Sequence, residues 1–149
     1  MSEIKVVKMQ KEHIPALVEL EKECFSDPWS QKALEEELSN PNAVFVVATK
    51  DDEVAGYVGM LHILDEGDIC NVAVFKKFRR NGVATALLEN LLEYAEENKF
   101  SFITLEVRES NEAAQIFYEK MGFQKMAVRR NFYENPKEDA YIMTKIFEN

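Results

Sequence analysis

Cysteine is nearly missing from this chain, which has only Cys24 and Cys70 among 149 residues. Two isolated thiols provide neither a disulfide framework nor a metal-ligand spacing. Histidine is as scarce, with His13 and His62 alone and neither in a recognisable motif, so Cys70 has no evident base to make it a nucleophile. Five glycines and four prolines are too few for a flexible linker, and no repeat or low-complexity tract occurs. No apolar run reaches the roughly 18 residues of a membrane span, and the first residues, "MSEIKVVKMQ", lack the basic-then-apolar pattern of a secretory signal. Positive charge is in the minority, 18 Lys and Arg against 27 Asp and Glu, for a net charge of −9. That balance excludes the basic footprint of direct nucleic-acid binding. It fits either simple solubility or an acidic face that attracts a cationic partner. The expectation is a cytoplasmic protein that engages no nucleic acid and no membrane.

What is present is an apolar content of 46% with 30% charged residues, the balance of a globular domain, read here as one unit over residues 1–149. "IKVVKM" predicts a first strand. "KEHIPALVELEKECF" predicts a helix with Ile14, Leu17, Val18 and Leu20 on its buried stripe and Pro15 tolerated in its first turn. After the break "DPWS", Ser30 caps a short helix, "QKALEEELS". "AVFVVATK" and "VAGYVGMLHIL", joined by "DDE", form a hairpin, and "GDICNVAVF" is a further strand. The longest helix runs from about Asn81 to Asn98, with Val83, Leu87, Leu88, Leu91, Leu92 and Ala95 on one side. "FSFITLEV" alternates Ile103, Leu105 and Val107 against Phe102, Thr104 and Glu106. Asn111 then caps "EAAQIFYEKM", Gly122 terminates it, and "QKMAVRRNFY" and "DAYIMTKIF" flank the loop "ENPKE". The order β-α-α-β-β-β-α-β-α-β-β, about seven strands and four helices, predicts an α/β fold with a mixed sheet.

Two places carry chemistry. "RRNGVATALL" follows a strand and opens the long helix, with Arg79, Gly82 and Ala84 spaced as R-x-x-G-x-A. Small residues let a ligand approach the backbone, and the free N–H groups of a first helical turn attract anions such as a pyrophosphate. It is neither G-x-G-x-x-G nor G-x-x-x-x-G-K-[ST]. An ordinary glycine turn beside a solvated basic cluster fits the same residues. In "LEVRESNEAAQIFYEKMGF", Glu106 lies inside an apolar strand and Tyr118 on the helix that follows. They read as a solvated edge carboxylate and a core aromatic, or as a proton acceptor and donor.

"NVAVFKKFRRNGVATALL" followed by "LEVRESNEAAQIFYEKMGF" resembles the acetyl-CoA-binding core of the GCN5-related N-acetyltransferase (GNAT) superfamily, whose phosphate loop is Q/R-x-x-G-x-G/A. "CFSDPWS", "LEVRESN", "YEKMGF" and "RRNFYENPKEDAYIM" are similar to the RimI group of bacterial ribosomal-protein-alanine N-acetyltransferases, over about Ile4 to Ile146. Lys76, where relatives often carry proline, and the pair Phe132-Tyr133, where a double tyrosine is common, are small departures.

The resemblance implies a GNAT fold, acetyl-CoA as co-substrate and no metal. It makes Glu106 the general base and Tyr118 the general acid. It places the acetyl and pantetheine end on the backbone of Val72, Ala73 and Val74, and the pyrophosphate on Arg79, Arg80, Asn81, Gly82, Val83, Ala84 and Thr85. Asn111 gains a cofactor contact beside its capping role. Pro28, Trp29 and Tyr133 become the wall for the acceptor, although Trp29 also suits a hydrophobic staple onto the second helix. The implied acceptor is the N-terminal peptide of a basic ribosomal protein. Transfer to another amine, or a noncatalytic CoA-binding module, remains open at this point.

Overall fold

The computed structural model describes residues 3–148. Two strands are buried along most of their length rather than on alternate residues: β2 (Ala43–Lys50) and β3 (Glu53–Ile63). Continuous burial requires cover on both faces of the sheet. Helices α1 (Ile14–Cys24) and α2 (Gln31–Glu37) cover one face, packing Leu17, Leu20 and Leu34 onto Phe45, Val47 and Tyr57. Helices α3 (Val83–Glu97) and α4 (Glu112–Lys120) cover the other, where Leu87, Leu91 and Tyr118 meet Val58, Met60, Ile103 and Leu105. Each large apolar side chain so buried stabilises the fold by roughly 1.5–3 kcal/mol before chain entropy is counted.

The remaining strands are β1 (Lys5–Lys8), β4 (Glu66–Val74), β5 (Phe102–Arg108), β6 (Gln124–Glu134) and β7 (Lys137–Ile146). The sheet order is β1-β2-β3-β4-β5-β7-β6. All neighbours are antiparallel except β4 and β5. Element types and order agree with the expectation from sequence, and the ends differ for local reasons. Helix α3 starts at Val83 rather than near Asn81, because Gly82 holds a left-handed φ of 79° and ends the preceding turn. The "ENPKE" loop shrinks to Asn135-Pro136, since β6 runs to Glu134 and β7 begins at Lys137. Strand β5 lies between β4 and β7 in the sheet order, but its pairing with β4 ends at Thr104, so at Glu106 it keeps only β7 as a partner.

Two features of β4 open the sheet. Its pairing with β3 slips between Ile69 and Asn71, leaving Cys70 as the extra residue of a β-bulge. Its pairing with β5 comprises only Glu66–Phe102, Gly67–Ile103 and Asp68–Thr104. Beyond those pairs the two strands part among the described residues. A cleft opens between the end of β4 and the end of β5.

Candidate active site

The cleft widens into a cavity of about 480 Å³, and both Glu106 and Tyr118 line it. Glu106 arrives there by strand alternation: Ile103, Leu105 and Val107 fill the α3 side, which turns Glu106 to the opposite face. Its side chain is 17% exposed, and Oε1 lies 3.6 Å from Nη1 of Arg129 on β6. Burial raises the Glu106 carboxyl above its ordinary range, the negative charge of Asp68 raises it further, and Arg129 pulls it back.

Tyr118 reaches the cavity from the other face of the sheet. Helix α4 is set by its ends: Asn111 Oδ1 accepts the Ala114 N–H at 3.1 Å, and Gly122, at φ 98°, lets Phe123 N donate back to the Tyr118 carbonyl at 2.9 Å. The Tyr118 ring packs edge-on against Phe123, with centroids 5.8 Å apart. Buried Gln115 donates through Nε2 to the carbonyls of Arg108 and Glu109 at 3.1 and 2.9 Å, stitching α4 to the end of β5. The Tyr118 hydroxyl has no hydrogen-bond partner among the described residues, and burial raises its pKa. It is a neutral phenol with an uncommitted donor facing a cavity that also holds a carboxylate.

A second cavity of about 200 Å³ lies at the start of α3, lined by Arg79, Arg80, Gly82, Val83, Ala84 and Thr85. No side chain caps this helix, and its first internal bond is Ala86 N to Gly82 O, which leaves the N–H groups of Val83, Ala84 and Thr85 without helical acceptors. A Cβ built on Gly82 would meet nothing within 4 Å. Open space over free N–H groups, beside two guanidinium groups, suits a phosphate. Asn81 does not line the cavity; its Nδ2 donates to the Phe78 and Arg79 carbonyls, and its Oδ1 accepts from Lys50, so it fastens the loop from behind. Val72 lines the first cavity and Val74 the second, while Ala73 is buried against the α1 side, so β4 runs from one to the other.

On the far side, Trp29 and Tyr133 line the first cavity, whereas Pro28 is exposed and does not. Trp29 packs on Phe45 with centroids 5.8 Å apart. Arg108 lies over the Tyr133 ring at 4.1 Å and pairs with Glu138 at 3.2 Å. Ser26 Oγ donates to the Asn135 carbonyl at 2.8 Å, joining the α1–α2 loop to the β6–β7 turn across the cavity mouth.

Sequence reasoning missed Glu21. It is fully buried, it lines the cavity, and its carboxylate accepts from Trp29 N, Tyr57 Oη and Asn71 Nδ2. A signal existed, because Glu21 falls four residues after Leu17 on the buried stripe, where Val18 is only half-buried. Asp68 and Arg129 were missed too, since only the sheet order brings them to Glu106. Among the described residues no group of three or more His, Cys, Asp or Glu side chains is arranged to hold a metal ion, and no helix is long and apolar enough to cross a membrane.

Residues 14–123 match the Acetyltransferase (GNAT) family. The [ribosomal protein bS18]-alanine N-acetyltransferase of Escherichia coli is 34% identical over 132 residues, 87% of this chain and 88% of the relative. The crystal structure of the ribosomal-protein-S18-alanine N-acetyltransferase from Escherichia coli superimposes with a TM-score of 0.91 at 30% identity, covering 99% of this chain and 96% of that one. An Elizabethkingia anophelis GNAT family acetyltransferase with acetyl-CoA bound shares the fold at a TM-score of 0.77 and 18% identity, covering 97% of this chain and 98% of that one.

Proposed function

Because the chain belongs to the acetyltransferase (GNAT) family, we propose that it moves the acetyl group of acetyl-CoA onto the α-amino group of an N-terminal alanine, on a small-subunit ribosomal protein with a basic N-terminal region. The observation that carries this reading is the shared cavity of Glu106 and Tyr118, joined along β4 to the second cavity over the uncapped start of α3 at Gly82. The names of the E. coli relatives support the acceptor. Acetyl-CoA supplies an acyl group activated as a thioester.

The first turn of α3, with Arg79 and Arg80, holds the pyrophosphate. The unpaired edge of β4 at Val72 to Val74 holds the acyl arm, and one backbone N–H there polarises the thioester carbonyl. Glu106 takes a proton from the incoming ammonium, directly or through water. Its raised pKa improves its match to an amine. Tyr118 gives its proton to the departing thiolate. Burial weakens the phenol as an acid, but the same dry site makes the thiolate more basic, so the donor remains suited to its acceptor. Asn111 caps α4 and borders the cofactor arm.

An α-amine, with a reference pKa near ~7.8, needs about 3.5 kcal/mol less deprotonation work at neutral pH than a lysine near ~10.4. A single carboxylate base suits that smaller task. Trp29 and Tyr133 wall the first acceptor residue, and the chain works in the cytoplasm.

The test is mass spectrometry of two peptides incubated with acetyl-CoA and the protein. One begins with free alanine followed by basic residues; the other is the same peptide with a blocked terminus and an internal lysine. One added acetyl group on the first alone is the expected result. Acetylation of neither, with acetyl-CoA still bound, overturns the proposed acceptor.

A further inference from the structure

Glu21 is a poor choice for stability alone. It occupies a buried helical position next to Leu17 and Leu20, and it forms no ion pair among the described residues. Burying a carboxylate without a cation is costly, and a well-packed apolar side chain at such a site is often more stabilising. The return on that cost is geometric. Oε1 accepts the Trp29 N–H at 2.7 Å. Oε2 accepts Tyr57 Oη–H at 2.6 Å and Asn71 Nδ2–H at 3.0 Å, and Asn71 Nδ2 also donates to Tyr57 Oη at 2.9 Å. Trp29 belongs to the turn that walls the acceptor side of the cavity. Asn71 is the residue at which the β4 bulge rejoins its partner strand, immediately before Val72.

We infer that Glu21 is a positioning residue: its buried carboxylate ties the acceptor wall at Trp29 to the donor strand at Asn71, and so sets the distance between the amine and the thioester. The inference deepens the reading in the preceding subsection and rests on it. Nothing in the arrangement requires Glu21 to touch either substrate.

Three donors converge on this carboxylate, and an amide cannot serve them all. In Glu21→Gln the single oxygen can keep the Trp29 N–H, but the new NH₂ then faces the Asn71 NH₂, donor against donor. The link between wall and strand breaks on one side while side-chain volume is unchanged. The matching exchange, Glu21→Gln with Asn71→Asp, returns a carboxylate to the centre from the other partner. Asp at 71 accepts from the Gln amide and from Tyr57, and the Gln oxygen accepts from Trp29.

The experiment measures acceptor-peptide KM, kcat, the acetyl-CoA dissociation constant and thermal melting for the wild type and these variants. Glu21→Gln is expected to raise acceptor KM about tenfold, the effect of losing one hydrogen bond to a charged group, with acetyl-CoA binding changed less than about twofold. The double variant is expected to recover most of that KM. An unchanged acceptor KM in Glu21→Gln overturns the inference, as does a loss of rate that merely follows the folded fraction, or a double variant no better than the single one. If Glu21→Gln does not fold, Tyr57→Phe serves instead. It removes one donor, leaves the carboxylate in place, and is expected to raise acceptor KM about threefold; no rise overturns the inference. A wild-type protein that acetylates neither peptide defeats the parent reading and this one together. An active wild type with an unaffected Glu21→Gln defeats this one alone.

Discussion

Replacing Glu106 by glutamine separates what the residue does for the reaction from what it does for the fold. The one ion pair it makes among the described residues is to Arg129, whose side chain is 55% exposed, and a pair so open to solvent contributes little. Burial, the largest influence on Glu106, raises its pKa above the unfolded value. A carboxyl group with a raised folded pKa is held less easily as the anion in the native state, so it subtracts stability as pH rises through that window. At neutral pH the ionised group therefore works against folding, and a neutral isostere removes that opposition. Glu106→Gln is expected to melt at or slightly above the wild-type temperature. Its turnover should fall by about 10²–10⁴, the usual contribution of a positioned general base, or roughly 2.7–5.4 kcal/mol of barrier at 1.36 kcal/mol per decade. Release of free thiol from acetyl-CoA in the presence of the alanine peptide reads the rate, and circular dichroism reads the melt. A loss smaller than about tenfold, or one explained by a lower melting temperature, would refute the reasoning.

The pH profile gives a second check. Activity should fall as pH drops through the raised Glu106 pKa; Asp68→Asn should move that acidic limb of kcat/KM down, and Arg129→Ala should move it up, because their charges act in opposite directions. Shifts of the same sign would contradict the electrostatics. Gly82→Ala forces a Cβ onto a residue at φ 79° and into the open space above the start of α3, so stability should drop by roughly 1–2 kcal/mol and, on the proposed reading, the KM for acetyl-CoA should rise, both measurable on one preparation. Asn111→Ala removes the cap from α4 and should cost about 0.5–2 kcal/mol in a urea melt, with a further loss of acetyl-CoA affinity if the side chain also meets the cofactor.

Much of the fold was legible because its signals are local. The buried stripe of α3, from Val83 to Ala95, is set by helical spacing, and the alternation of Ile103, Leu105 and Val107 announces a strand with Glu106 on its other face. Asn111 and Gly122 mark the ends of α4 through chemistry that spans only a few residues. The turn at Gly82 that opens α3 was legible for the same reason. What escaped was whatever depends on pairing across the sheet. Asp68 and Arg129 come to Glu106 from β4 and β6, far apart in the chain. Glu21 falls on the buried stripe of α1, but what its carboxylate holds is hidden until Tyr57 and Asn71 are brought to it from β3 and β4. Pro28, expected in the acceptor wall, is turned outward, since it is the following Trp29 whose N–H is held by Glu21. A turn of four residues does not announce which of them faces in.

The three residue pairs that join β4 to β5 make a short seam between two blocks of the sheet. One block carries the Gly82 turn; the other carries Glu106 and, through the Gln115 stitch, Tyr118. A donor molecule reaching from the turn into the open part of the seam would act as a splint, supplying to the loose edge of β4 some of the bonds that β5 does not. Thermal resistance would then track the catalytic cycle. At a donor concentration of about 100 times Kd the loaded protein would gain roughly 2.7 kcal/mol against unfolding, and it would soften each time the spent carrier left.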